Sequence, residues 1–274
     1  MRAKKSLGQN FLTSKGVVGD IMTAAELSAK DTVLEIGPGK GFLTEELLKK
    51  AGKVIAIEKD DRLIDLLKEK FSEEIKAGKL TLVHGDILNL VNGEDSISII
   101  SRYKLDTSEY KVVANIPYYI TGQILRLFLE SDAQPEKMVL MVQKEVAKRI
   151  VAHDEKESIL SISIKVYGTP KLIKKVPARY FSPKPKVDSA ILLIKDISKK
   201  LFKNKKEEEF FKLVTSGFSQ KRKKLVNNLS TNYKNYKKGK IEELFDICDI
   251  KLNTRAEKLS VNKWMCLNDK GSFS

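Results

Sequence analysis

Two acids and an amide stand where short apolar, β-favouring runs end. Glu58 closes 54–57, Asp86 follows 79–83, and Asn115 follows 110–114. A third acid, Glu35, lies just before Gly37-Pro38-Gly39-Lys40-Gly41, between the run 32–36 and the helical spacing of 42–50. A strand that turns through glycines into a helix brings backbone close to a nucleotide. Here the spacing is G-x-G-x-G, tighter than the dinucleotide fingerprint. A carboxylate 21 residues after Gly37 is placed to accept from the hydroxyls of a ribose. Asp86 can accept from the amine of an adenine. Asn115-Ile116-Pro117-Tyr118 adds a proline that stops the strand ladder and leaves nearby carbonyls facing the crevice. The Asn115 oxygen and one such carbonyl can hold a single exocyclic amine, and the Tyr118 ring can stack on its base. These residues predict a nucleoside-type ligand.

In an open parallel sheet such tips converge on one crevice, so the strands must lie side by side. The pattern supplies them. After a helix over 17–27, strands at 32–36, 53–57, 79–83, 110–114 and 137–142 alternate with helices at 42–51, 61–71, 120–131 and 143–152. Residues 92–109 are polar and irregular, with a short helix expected over 96–103. An apolar segment spans 158–167. Two late strands, 171–176 and 189–195, flank the Pro-rich loop 180–186 without a helix between them. The expected fold class is α/β: a mostly parallel sheet with helices on both faces and an antiparallel edge strand. After Lys195 only helix signals remain, at 207–218, 221–229, 241–250 and 257–267, behind a lysine-rich linker at 198–206. The predicted domains are 1–197 and a small all-α domain, 198–274.

The formal net charge is +15, of which residues 195–274 carry +10. That excess fits a polyanionic partner, nucleic acid before an anionic membrane surface. The exposed-looking run Lys221-Arg222-Lys223-Lys224 is its densest part. Two histidines and two scattered cysteines, Cys248 and Cys266, give neither metal-ligand spacing nor a disulfide framework. No apolar run is long enough for a signal peptide or a bilayer span, so the expected location is intracellular and cytoplasmic, with no membrane and no metal.

With these motifs in hand, the chain resembles the ribosomal RNA adenine dimethyltransferase family. Asn115-Ile116-Pro117-Tyr118 is similar to the Asn-(Leu/Ile)-Pro-Tyr motif of S-adenosylmethionine-dependent adenine-N6 methyltransferases. Gln9-Asn10-Phe11-Leu12, Glu35-Ile36-Gly37-Pro38-Gly39, Gly85-Asp86 and 181–190 (FSPKPKVDSA) fall in the family's order. Phe218-Ser219-Gln220-Lys221-Arg222-Lys223-Lys224 and 255–260 (RAEKLS) extend the likeness across the helical region. The Pro-Lys-Val-Asp-Ser-Ala string looks like the small-subunit branch rather than the large-subunit antibiotic-resistance branch. Gln-Lys-Arg-Lys-Lys departs from the more usual Gln-Arg-Arg-Lys but keeps its charge.

The resemblance implies a Rossmann-like methyltransferase domain, S-adenosyl-L-methionine as cofactor, and a monomer acting on small-subunit ribosomal RNA in ribosome biogenesis. It implies cofactor contacts from Asn10, Leu12, Gly37, Gly39, Glu58, Asp86 and Asn115. The catalytic set would be Asn115, Pro117, Tyr118 and Phe181, with Phe181 closing on the target adenine opposite Tyr118. Lys221, Arg222, Lys223 and Lys224 would bind RNA. Two other readings compete. A nicotinamide-dependent oxidoreductase leaves the Asn115 motif and the basic helices unexplained. A non-catalytic nucleic-acid-binding relative has no need of Glu58, Asp86 and Asn115.

Overall fold

The computed structural model describes residues 3, 4, 7–92, 99–105, 109–202, 207–234, 238–271 and 273. The chain opens with a two-residue strand, β1 (Phe11–Leu12), and α1 (Lys15–Ala25). The alternating part follows: β2 (Thr32–Ile36), α2 (Phe42–Lys50), β3 (Lys53–Glu58), α3 (Asp61–Lys70), α4 (Ser72–Lys76) and β4 (Leu80–His84). It continues through α5 (Ile87–Asn92), α6 (Ile99–Arg102), β5 (Tyr110–Asn115), α7 (Thr121–Leu129), β6 (Lys137–Gln143) and α8 (Lys144–Val151). After α9 (Ile159–Lys165) come β7 (Thr169–Val176), β8 (Phe181–Ser182) and β9 (Ser189–Lys195).

Seven strands form one sheet in the order β4-β3-β2-β5-β6-β9-β7. The first five are parallel, and β9 runs antiparallel to both neighbours, between β6 and the edge strand β7. The expected Rossmann-like sheet is therefore present, and the reversed strand lies one place in from the edge. Burial explains the near-continuous apolar runs. Val33, Val54, Val113, Val139 and Ile191 enter the core with α1 and α2. The alternate residues Leu34, Ile55, Val112, Met138 and Leu192 are equally buried on the opposite face. A strand buried on both faces has no polar side to alternate with.

The chain divides into two compact units, Met1–Ala147 with Thr169–Ile197, and Lys148–Gly168 with Ser198–Ser274. The contiguous boundary expected at 197/198 is thus corrected, because 148–168 groups with the helical region. The reason is apolar: Tyr167 sits 5.4 Å from the Phe202 ring and 6.2 Å from Phe211, centroid to centroid. The helical unit adds α10 (Glu207–Gly217), α11 (Leu225–Asn232), α12 (Lys238–Ile247) and α13 (Val261–Lys270). Both α11 and α13 begin four residues later than the spacing suggested, so Lys221 to Lys224 form a turn rather than a first helical turn. Of the helix expected over 96–103, the described part is α6; residues 96–98 lie outside the described residues, as do 203–206 of the linker.

The cysteine reading is also corrected. Cys248, at the end of α12, and Cys266 of α13 form a disulfide across a Cα–Cα distance of 5.8 Å. Eighteen residues separate them, and only the packing of α12 on α13 brings them together. No helix among the described residues is long and apolar enough to cross a membrane.

Candidate active site

A cleft opens at the carboxyl ends of β2, β3, β4 and β5, where Gly37, Glu58, Asp86 and Asn115 all line it. Gly37 N donates to Ile57 O and Gly85 N to Glu58 O, each at 2.9 Å, which locks the three neighbouring tips together. Gly37 holds φ at +68°, and no atom lies within 4 Å of where a Cβ would stand. The residue is therefore demanded by backbone conformation, and it leaves the space beside it free for a ligand. At Gly39, φ is +60° and a Cβ would meet the Phe11 ring at 3.0 Å.

Glu58 is 6% exposed, and its carboxylate is fixed by three backbone N–H groups. Its Oε1 accepts from Lys59 N and Asp60 N at 2.9 Å, and its Oε2 from Gly39 N at 3.1 Å. Burial pushes its carboxyl up from the usual range, against the pull of those N–H groups. A carboxylate has about four acceptor positions, so one remains for a hydroxyl in the cleft. That free acceptor position fits a ribose hydroxyl. Asp86 caps α5, accepting from Leu88 N at 3.1 Å on Oδ1, while Lys59 Nζ reaches its Oδ2 at 2.7 Å. That ion pair ties the tips of β3 and β4 at the mouth.

Asn115 ends β5, and its Nδ2 donates to Asn10 O at 3.1 Å. The amide nitrogen is thereby turned to the N-terminal segment, leaving Oδ1 as an acceptor. Tyr118 lines the cleft half-buried, with its hydroxyl 2.6 Å from Ser189 Oγ. This bond to the first residue of β9 fixes the ring, and burial pushes the phenol up from its ordinary value. Pro117 and Asn10 also line the cleft.

Two expected residues are not brought there. Leu12 and Phe181 face each other in the β1–β8 pair, 7% and 4% exposed, and both belong to the hydrophobic core. Strand pairing turns these side chains inward, so neither lines the cleft that Asn115 and Tyr118 share. Glu35 is also buried, at 1% exposure, and its carboxyl is pushed up to about 8 by burial and, secondarily, by the nearby Glu58 charge. It does not line the cleft.

Sequence reasoning missed Gln9 and Asp60. Gln9 lines the cleft and donates from Nε2 to Asp60 Oδ2 at 2.8 Å. The signal available was Asp60 directly before the helical pattern of α3, a helix-capping position. In the helical unit, Lys221, Arg222, Lys223 and Lys224 are all exposed. Asn228, itself buried, shapes their turn by donating to Gly217 O at 2.6 Å and Gln220 O at 3.1 Å. Among the described residues, no group of three His, Cys, Asp or Glu side chains could hold a metal ion.

The family model described as "Ribosomal RNA adenine dimethylase" matches residues 1–269. A ribosomal RNA small subunit methyltransferase A from Dehalococcoides mccartyi is 45% identical over 99% of this chain and 90% of its own. One of the same name from Fusobacterium nucleatum is 39% identical over 96% and 95%. Among solved structures, a dimethyladenosine transferase from Plasmodium falciparum matches with a TM-score of 0.74 and 28% identity, covering 94% of this chain and 95% of that one. The 23S rRNA methyltransferase ErmE matches with a TM-score of 0.73 and 25% identity, covering 95% and 98%. Matched over residues 1–269 by that model and over 99% of its length by a relative 45% identical, the chain belongs to the ribosomal RNA adenine dimethylase family, the S-adenosylmethionine-dependent methyltransferases of ribosomal RNA adenines.

Proposed function

We propose that this chain dimethylates the exocyclic N6 amine of adenines, two adjacent ones, in small-subunit ribosomal RNA. It acts as a cytoplasmic monomer in ribosome biogenesis. The orientation of Asn115, with its nitrogen committed to Asn10 O, is the observation that carries the reading. Assignment to the small subunit is supported by the names of relatives at 45% and 39% identity, against 25% for the large-subunit enzyme ErmE.

An adenine amine is a poor nucleophile because its lone pair is delocalised into the ring. Asn115 Oδ1 and a backbone carbonyl of Ile116 or Pro117 accept its two hydrogens and hold the nitrogen out of conjugation. Glu58, Asp86, Gly37, Gly39 and Asn10 would hold S-adenosylmethionine, which would supply an electrophilic methyl when bound. Alignment of lone pair and methyl provides most of the rate, an effect worth up to ~7–11 kcal/mol in intramolecular models. No strong base is required, because the methylated ammonium is acidic enough to release its proton to water. The base must leave its stack, at roughly a few kcal/mol. Stacking on Tyr118 offsets about 1–3 kcal/mol of that. Phe181 supports the site from the core by packing on Leu12, beneath the segment that carries Asn10. The helical unit, with Lys221 to Lys224 on its surface, supplies phosphate contacts.

The test is transfer of labelled methyl from S-adenosylmethionine to purified small and large ribosomal subunits lacking the modification, followed by mapping of the product. Dimethyladenosine at adjacent adenines of the small subunit is expected. Label confined to the large subunit, or no label, would overturn the reading.

A further inference from the structure

Asp60 lies outside the cleft wall, yet its side chain is fully buried and gathers five hydrogen-bond or ion-pair contacts. Its Oδ2 accepts from Gln9 Nε2 at 2.8 Å and from an Arg62 terminal nitrogen at 2.7 Å. Its Oδ1 accepts from Arg62 Nε at 3.0 Å and Arg62 N at 3.3 Å, with Lys4 Nζ also 3.3 Å away. Capping α3 needs only the bond to Arg62 N. The remaining contacts serve something else. Two of them reach back some fifty residues in sequence, to the segment that contains Lys4 and Gln9.

That segment crosses the site. Leu7 to Phe11 line the cleft. Since β2 lies between β3 and β5, the segment spans from the β3 side, where Asp60 sits, to Asn115 at the end of β5. It is tied to both sides of the cleft through adjacent residues: Gln9 to Asp60, and the Asn10 carbonyl to Asn115 Nδ2. Both ends of the Gln9 amide are engaged, because its Oε1 accepts from Lys4 N at 2.7 Å. Rotating Gln9 away from Asp60 therefore costs two bonds, and Asn10 is carried along with it.

We propose that Asp60 is a positioning residue for methyl transfer: through Gln9 it seats the Asn10 carbonyl, and that carbonyl aims Asn115 at the substrate amine. Closing the segment over the cofactor and orienting the amine acceptor are then one event. The inference rests on the reading of Asn115 as that acceptor. The surrounding guanidinium, amide and ammonium hold the Asp60 carboxyl well below the usual carboxylate range, so it stays charged throughout the working pH range.

An exchange of partners tests this. Gln9→Glu sets two carboxylates against each other and should open the segment, lowering the single-turnover rate at saturating cofactor at least 10-fold while RNA KM stays within twofold. Adding Asp60→Asn restores an amide–carboxylate pair of reversed polarity and should return the rate to within threefold of the parent, with cofactor affinity recovering in parallel. The amide introduced by Asp60→Asn still offers an oxygen to cap α3, and Gln9→Ala, which removes the tie without touching that cap, should slow turnover by itself. Full-rate Gln9→Glu, or a double variant no faster than the single, would overturn the proposal. Asn115→Ala is measured alongside. If that variant keeps the parental rate, the acceptor reading fails, and rescue seen in cofactor affinity alone would reduce Asp60 to a cofactor-site role and overturn its link to the amine.

Discussion

Asn115 Nδ2 and the Asn10 carbonyl oxygen lie 3.1 Å apart, although 105 residues separate them in the chain. One bond thus decides which end of the Asn115 amide faces the cleft. Reversed, the amide would set N–H groups where the amine's hydrogens need an acceptor.

Asn115→Ala should therefore lower the methyl-transfer rate on the order of 100-fold or more, since it removes an interaction that matters most as the lone pair rehybridises. RNA affinity, dominated by phosphate contacts, should hardly move. Single-turnover kinetics and a filter-binding titration separate the two effects.

Glu58→Ala should weaken cofactor binding by about 10- to 100-fold, the scale of one hydrogen bond to a charged group. Three backbone N–H groups lose their acceptor with it, so Glu58→Gln is the gentler companion. Calorimetry on the folded variants checks this, and unchanged affinity in both would remove Glu58 from the site.

Replacing Lys221, Arg222, Lys223 and Lys224 together by Ala should flatten the dependence of RNA affinity on salt, by up to about 3 in the log–log slope for single-stranded contacts. Cofactor affinity should stay as it was. An unaltered slope would leave these side chains as ordinary solvated surface.

Glu35 makes stability depend on pH. Its folded pKa of about 8 lies above the value of 4.5 expected in the unfolded chain. Stability from this group is then fully present below about pH 4.5, falls by about 1.4 kcal/mol per pH unit above it, and is lost as pH rises through about 8. Glu35→Gln should remove that slope and raise the melting temperature most at alkaline pH. Identical pH profiles for parent and variant would contradict the assignment.

Phe181→Ala should act through the fold. Deleting a buried ring costs about 3–5 kcal/mol, so a lower denaturation midpoint is expected, with the ratio of mono- to dimethylated product unchanged at permissive temperature. Accumulation of monomethyladenosine would return Phe181 to the substrate pocket.

The strands, their order of appearance and their polar tips were legible in the sequence, because a doubly covered parallel sheet writes itself as apolar runs ended by glycines, acids and amides. That Glu58, Asp86 and Asn115 would share one cleft could be read from position alone, since strand tips converge wherever the strands are neighbours. Period and spacing are silent about partners distant in sequence. They could not tell that Asp60 would reach back to Gln9, that Phe181 would pair with Leu12 and turn inward, or that Cys248 would meet Cys266. Nor could they move 148–168 into the helical unit, which depends on where Tyr167 finds Phe202. Local sequence determined which groups could do chemistry. Tertiary packing decided which way they point, because a buried side chain takes its direction from neighbours that the chain brings together only on folding.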